Sequence, residues 1–225
     1  MGKLTLSPQQ EDIRRPIKPA VFFDLDGTII TTKDGKTFPK DKHDWKLISG
    51  VRALMLDLMN DDNTQIIIIS NQGGIEQKYI TKADFEEKMH NVIKALDLPN
   101  EIYCYYSTTV DPQDIYRKPQ AGMFYIAALE HGIYLENSVF IGDASGTCEV
   151  PKDRILSDFV KDKQRFITTK ARQEPQAVVN ENVKTNTVVI NCYSDSDLAA
   201  SMNAGIANYR DIDQILYLFE TKTKK

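Results

Sequence analysis

Phe23-Asp24-Leu25-Asp26-Gly27-Thr28 follows directly on the apolar run Val21-Phe22-Phe23. The apolar run has strand character. In extended chain, alternate residues share a face, so Asp24 and Asp26 point at one volume just past the strand's carboxyl end. Open α/β sheets place their ligands there. Two carboxylates that close repel each other, so a cation or a proton belongs between them. Oxygen-only donors of this kind suit Mg²⁺. Gly27 and Thr28 offer main-chain N–H groups to a phosphate. The same string also fits a surface turn rich in Asp and Gly, so the rest of the chain has to arbitrate.

Working outward, Ile66–Ile69 is a solid β-branched run, the mark of a strand buried on both faces. It runs into Ser70-Asn71-Gln72-Gly73-Gly74. A small hydroxyl at a strand end suits a phosphate oxygen, and it equally suits a helix cap or a tight loop. Arg117-Lys118-Pro119 holds a lysine beside a rigid proline, where its point charge can meet a phosphate. Ile141-Gly142-Asp143-Ala144 puts a further carboxylate at the end of the apolar run Ser138–Ile141. Asp195 and Asp197 flank Ser196 at a helix start, Asp195 as an N-cap and Asp197 as a weaker candidate for an outer metal ligand.

Between these points, strand and helix signals alternate. Val51, Leu54, Met55, Leu58 and Met59 repeat at helical spacing, as do Phe85, Met89, Val92, Ile93 and Leu96 behind a Thr81 cap. Ile102–Tyr106 reads as a strand, Met123, Ile126 and Ala127 lie on a helix, and Asp195–Ala204 and Asp211–Leu218 read as late helices. That order predicts an α/β fold, a Rossmann-like parallel sheet with helices on both faces. Such a sheet brings Asp24, Asp26, Ser70, Lys118 and Asp143 to one edge. Chance agreement of all these strand ends is far rarer than any single coincidence.

The 225 residues, 41% hydrophobic and 27% charged, suit an ordinary globular domain. A net charge of −4 disfavours gripping duplex nucleic acid by bulk positive charge. No apolar run approaches the roughly 20 residues of a membrane helix, and MGKLTLSPQQEDIRRP has no signal-peptide core. Cys104, Cys148 and Cys192 form no CxxC pair, and an odd number argues against a disulfide framework. The expected setting is reducing, nucleus or cytoplasm. Residues 1–16 read as a polar tail, 17–219 as a single domain with an insertion at about 147–191, and 220–225 as a C-terminal tail. The insertion is charged and offers strand signals at Val178-Val179 and Thr187–Ile190.

DLDGT, Ser70, Lys118 and the Gly-Asp pair ending at Asp143 resemble the motifs of the haloacid dehalogenase superfamily of phosphohydrolases. FDLDGTIITTKDGKTFPKDKHDWKLI, IIIISNQGGI, YRKPQAGMF, VFIGDASG and YSDSDLAASMNAGI resemble the phosphatase domain of polynucleotide kinase 3′-phosphatase. The TxxGKxFPxxxxDW stretch is the most specific of these. The resemblance covers roughly residues 18–146 and 192–219. It implies that Asp24 is the nucleophile, forming an aspartyl-phosphate, and that Asp26 is the acid and base. It implies that Ser70 and Lys118 hold the phosphoryl oxygens. Mg²⁺ would be bound by Asp24, Asp143 and the main-chain carbonyl of Asp26. Gly27, Thr28, Asn71 and Arg117 are the candidate substrate contacts.

No GxxxxGK[ST] occurs, so no kinase half is expected. The intervals between motifs leave no room for a large cap domain, and an open site suits the end of a polymer. Lys33, Lys36, Lys40, Lys42, Lys78, Lys82 and Arg117 cluster near the motifs as candidate phosphate contacts or as a solvated surface. Trp45 fits core packing better than base stacking. The expected activity is Mg²⁺-dependent removal of a 3′-phosphate from nucleic-acid ends, DNA above all, as strand-break repair requires. The alternative is a phosphatase of small molecules such as histidinol phosphate or a sugar phosphate. A binding module without chemistry is disfavoured by the retained Asp24, Asp26, Lys118 and Asp143.

Overall fold

A computed structural model describes residues 18–36, 39–59, 64–151, 180–182, 187–191 and 194–223. The inner strands of its main sheet come from the most apolar stretches of sequence. β1 (Ala20–Phe23), β4 (Gln65–Asn71), β5 (Tyr103–Ser107), β6 (Val139–Gly142) and β10 (Asn208–Asp211) make one five-stranded sheet in the order β10-β6-β1-β4-β5. All four pairings in it are parallel. Its period-two alternation feeds two cores. Val21, Phe23, Ile66, Ile68 and Ile141 face one, and Ala20, Phe22, Ile67, Ile69 and Phe140 face the other. A strand whose alternate residues both enter a core reads as a continuous apolar run, which is why β1 and β4 stand out in the sequence.

Three helices cover the first face: α1 (Val51–Met59), α2 (Lys82–Leu96) and α5 (Ile212–Thr223). Two cover the other: α3 (Gly122–His131) and α4 (Ser196–Ala204). Thr81 caps α2 as expected, its hydroxyl accepting the Asp84 N–H at 3.0 Å. α4 begins differently. Asp195 stands at the N-cap position without a side-chain cap bond, and the Ala144 carbonyl takes the N–H groups of Asp197 and Leu198 instead.

Two features depart from the expectations. β10 lies where no strand was expected. Its four residues Asn208–Asp211 are short, largely polar and on the sheet edge, so they carry no apolar run. α5 continues to Thr223, past the tail boundary expected at 220. A small antiparallel pair, β2 (Ile30–Thr31) and β3 (Lys46–Leu47), brackets the Thr32–Asp44 loop. The buried Asp44 carboxylate closes that loop by accepting the main-chain N–H groups of Lys33 and Lys40, each at 3.0 Å. Trp45 is half-buried against the first core.

The insertion contains a separate antiparallel sheet of β7 (Thr147–Pro151), β8 (Asn180–Asn182) and β9 (Thr187–Asn191), in the order β7-β9-β8. The expected strand at Thr187–Ile190 is part of β9, whereas Val178-Val179 and residues 1–16 lie outside the described residues. No helix among the described residues is long and apolar enough to cross a membrane.

Candidate active site

Sheet order decides the site. β1 is central, with β4 on one side and β6 on the other. Asp24 therefore stands at the end of β1 between Ser70, at the end of β4, and Asp143, just after β6. Its own N–H is held by the Ile141 carbonyl at 2.9 Å. Lys118 arrives from the β5–α3 connection. Asn71 pins it by a reciprocal pair: the Asn71 amide donates to the Lys118 carbonyl at 2.9 Å and accepts the Lys118 N–H at 2.9 Å.

The Lys118 ammonium is buried and touches Asp24 at 2.5 Å and Asp197 at 2.7 Å. Burial alone would lower its pKa, but Asp197 and Asp24 outweigh burial and hold it above the ordinary lysine range. Asp24 is pushed up to about 7. Burial is the main cause, Lys118 opposes it, and Asp197 and Asp26 add to it. Burial thus outweighs an ammonium at 2.5 Å, and the neighbouring carboxylates of Asp197 and Asp26 act in the same direction as burial.

Asp24, Asp143 and Asp197 each offer a carboxylate oxygen, all within 4.8 Å of one another. Three ionised carboxylates against one ammonium leave an excess negative charge that one divalent cation would balance. Hard oxygen donors in that arrangement fit Mg²⁺. Asp197, expected only as an outer ligand, is thus a full member of the cluster. Gly142 makes this possible, because a Cβ there would sit 2.5 Å from Asp197 Oδ2. Gly27 does the same for Asp143. Its φ of +92° is open to glycine, and a Cβ would collide with the Asp143 carboxylate.

Asp26 is not in that cluster. Its side chain is 49% exposed, and its carboxylate accepts from Gln72 Nε2 at 2.6 Å and from Lys88 Nζ at 3.3 Å. Gln72 also donates to Ser70 Oγ at 2.9 Å, which leaves the Ser70 hydroxyl proton free for another acceptor.

Three expected substrate contacts have polar groups engaged within the protein. The Gly27 N–H is spent on the Ile30 carbonyl at 2.8 Å, and Thr28 is fully buried with its N–H turned to the Leu25 carbonyl. The tight turn from Leu25 to Ile30 consumes both donors. Among the described residues, the N–H groups of Leu25 and Asp26 meet no acceptor, and they are the open donors of this loop. Asn71 spends both its side-chain polar atoms on the main chain of Lys118. Arg117 Nη1 donates to the Thr109 carbonyl at 2.6 Å and lies over Gly73, and the rest of its guanidinium has no partner among the described residues.

Two side chains that meet Asp26 escape a reading of the sequence. Gln72 lies inside the quoted Ser70–Gly74 string, but an amide there carries no signal of its own. Lys88 sits on the apolar face of α2, three residues after Phe85 and four before Val92, and is only 2% exposed. A lysine at core spacing is the sign that could have singled it out.

A central carboxylate flanked by a serine, a buried lysine and two further carboxylates, at the carboxyl edge of a parallel sheet, defines a phosphatase of the haloacid dehalogenase type. The model of the family "Polynucleotide kinase 3 phosphatase" matches residues 19–210, and the chain belongs to that family.

The chain is 34% identical over 131 residues to the bifunctional polynucleotide phosphatase/kinase of Schizosaccharomyces pombe, covering 57% of this chain and 31% of that protein. It is 30% identical over 130 residues to a D-glycero-β-D-manno-heptose-1,7-bisphosphate 7-phosphatase of Helicobacter pylori, covering 55% of this chain and 72% of that one. Among solved structures, the D,D-heptose 1,7-bisphosphate phosphatase of B. bronchiseptica, complexed with magnesium and phosphate, shares the fold. Its TM-score is 0.54 at 16% identity, over 91% of this chain and 99% of that one.

Proposed function

We propose that this chain removes the 3′-phosphate from nucleic-acid ends, DNA above all, and leaves a 3′-hydroxyl. The family match over residues 19–210 and the S. pombe relative support the substrate class. The observation that carries the reading is the contrast in exposure at the site. The Asp24 carboxylate is enclosed at 9% side-chain exposure, while Asp26 opens to solvent at 49%. A phosphoryl group fits against the enclosed carboxylate while a bulky leaving group stays outside, beside Asp26.

The chemistry is built on these positions. A carboxylate oxygen of Asp24 attacks phosphorus as the ester P–O bond breaks, and the departing oxygen takes the proton of Asp26. Water then attacks the aspartyl-phosphate, giving its proton to Asp26 and returning Asp24 as a carboxylate with release of phosphate. The free Ser70 hydroxyl, the remaining Lys118 N–H and the N–H groups of Leu25 and Asp26 are the donors for the phosphoryl oxygens. Asp24, Asp143 and Asp197 would hold Mg²⁺ together with the Asp26 carbonyl. Bound there, the ion offsets the cluster's negative charge and lets an anionic phosphate approach an anionic nucleophile. Arg117 is left with N–H groups for an adjacent phosphate.

A second reading is favoured by the Helicobacter relative, a sugar-phosphate enzyme of comparable identity. The two separate in one experiment, kcat/KM with Mg²⁺ on a 3′-phosphorylated oligonucleotide and on a panel including histidinol phosphate and a heptose bisphosphate. A preference of roughly 100-fold or more for the oligonucleotide, about 2.7 kcal/mol of transition-state discrimination, supports the polymer. Equal or better rates on a small ester move the function to metabolites. Asp24→Asn serves as the control and is expected to abolish turnover on every substrate while the circular dichroism spectrum stays unchanged.

A further inference from the structure

Lys88 has no part in the chemistry just described, yet its placement is costly. A buried lysine loses several kcal/mol of hydration unless charge and hydrogen bonds replace it. Lys88 is 2% exposed on α2, and its neighbours on that face are Phe85, Met89 and Val92. Its ammonium lies 5.8 Å from the Phe85 ring centroid. Among the described residues its only charged partner is Asp26 Oδ1 at 3.3 Å. The other Asp26 oxygen is held by Gln72 at 2.6 Å. A half-exposed carboxylate on a loop would otherwise turn freely. Held at both oxygens, from β4's end and from α2, it keeps one plane.

We propose that Lys88 is a positioning residue for Asp26, fixing its carboxyl so that the proton is delivered to the leaving oxygen. The inference rests on the acid role given to Asp26 above. It assigns to α2 a task beyond packing: carrying a buried cation to the mouth of the site. General acid catalysis matters most when the leaving group is poor. A sugar hydroxyl needs its proton as the P–O bond breaks, whereas p-nitrophenolate departs without one.

The test is the leaving-group dependence of Lys88→Met and Lys88→Gln. Met keeps the volume and the apolar fit of the helix, and Gln keeps a donor should Met fail to fold. The expected result is a fall in kcat/KM of about 100-fold for a 3′-phosphorylated oligonucleotide, within the range that general acid–base catalysis supplies. For p-nitrophenyl phosphate the fall should stay below about 3-fold, with Lys88→Arg recovering much of the oligonucleotide rate. Equal losses on both substrates, or none on either, would overturn the proposal, because a purely structural lysine affects all substrates alike. Asp26→Asn run beside it separates the two ideas. If Asp26→Asn shows no leaving-group dependence, the acid assignment fails. If it does and the Lys88 variants do not, only the role of Lys88 fails.

Discussion

At the scale of single residues, Asp24 carries the sharpest consequence. Its pKa rises from 3.8 to about 7 on folding, chiefly through burial, against the pull of Lys118. Between those values the folded protein binds a proton that the unfolded chain has already lost. The stability this contributes is fully present below 3.8 and disappears as pH rises through about 7. A divalent cation held in the carboxylate cluster would do the work of that proton. In EDTA, Tm should therefore fall between about pH 4 and 7, and the fall should be much smaller in Asp24→Asn. Added Mg²⁺ should raise Tm more at about pH 8 than at about pH 5. Thermal unfolding across that range checks this, and an unchanged slope in Asp24→Asn would refute it. The glycines act at the same scale. The DxDG and Gly-Asp strings were visible as turns, but that Gly27 makes room for Asp143 and Gly142 for Asp197 needed coordinates.

At the scale of elements, the site is held by clamps between strand ends. Asn71 terminates β4 and holds the main chain of Lys118 through two hydrogen bonds of 2.9 Å. Removing both bonds leaves a half-buried N–H and carbonyl unmatched, at a cost of about 2 kcal/mol. Asn71→Ala should lower Tm and reduce kcat by about 10-fold or more as Lys118 loses its register, with KM changing less. Asn71→Asp, which keeps the acceptor and loses the donor, should fall between. Steady-state kinetics with a melting curve for each variant provide the check. Asn71 was legible as part of the site and not as to its task. A substrate contact and a backbone clamp use the same amide, and only the position of the Lys118 main chain distinguishes them.

At the scale of the whole molecule, charge is organised against a broad basic groove. Lys40 pairs with Asp34 at 2.6 Å and Lys36 with the same residue at 3.6 Å. Lys42 pairs with Asp84 and Glu87, and Lys82 lies 3.8 Å from Glu86. Lys33 and Lys78 have no ion pair among the described residues. Of the basic residues expected to flank the cleft, most are thus neutralised locally, in a molecule of net charge −4. Under the proposed function, recognition would accordingly be of the terminal phosphate and one or two neighbours. For a single strand the slope of log(1/KM) against log salt should lie near about −0.7 to −1.4. KM for the oligonucleotide should rise less than about 7-fold over a roughly fourfold increase in salt. A steeper slope would require basic contacts beyond these.

The sheet and its catalytic edge were readable from the chain because their signals are local. Continuous apolar runs mark strands buried on two faces, and the residues directly after each run must lie at the strand's carboxyl end. Asp24, Asp143 and Ser70 could therefore be placed together from the chain alone, and Lys118 joined them through the spacing of its motif in the connection after β5. β10, the full membership of Asp197 in the carboxylate cluster, and the hold of Gln72 and Lys88 on Asp26 were decided by tertiary structure alone. Each depends on contacts between residues far apart in the chain, such as Gln72 with Asp26, Lys88 with Asp26 and Asp197 with Lys118, or on a short edge strand without an apolar pattern. Local propensity and periodicity carry no information about which distant side chain will meet a given carboxylate. That is set by how helices seat on the sheet.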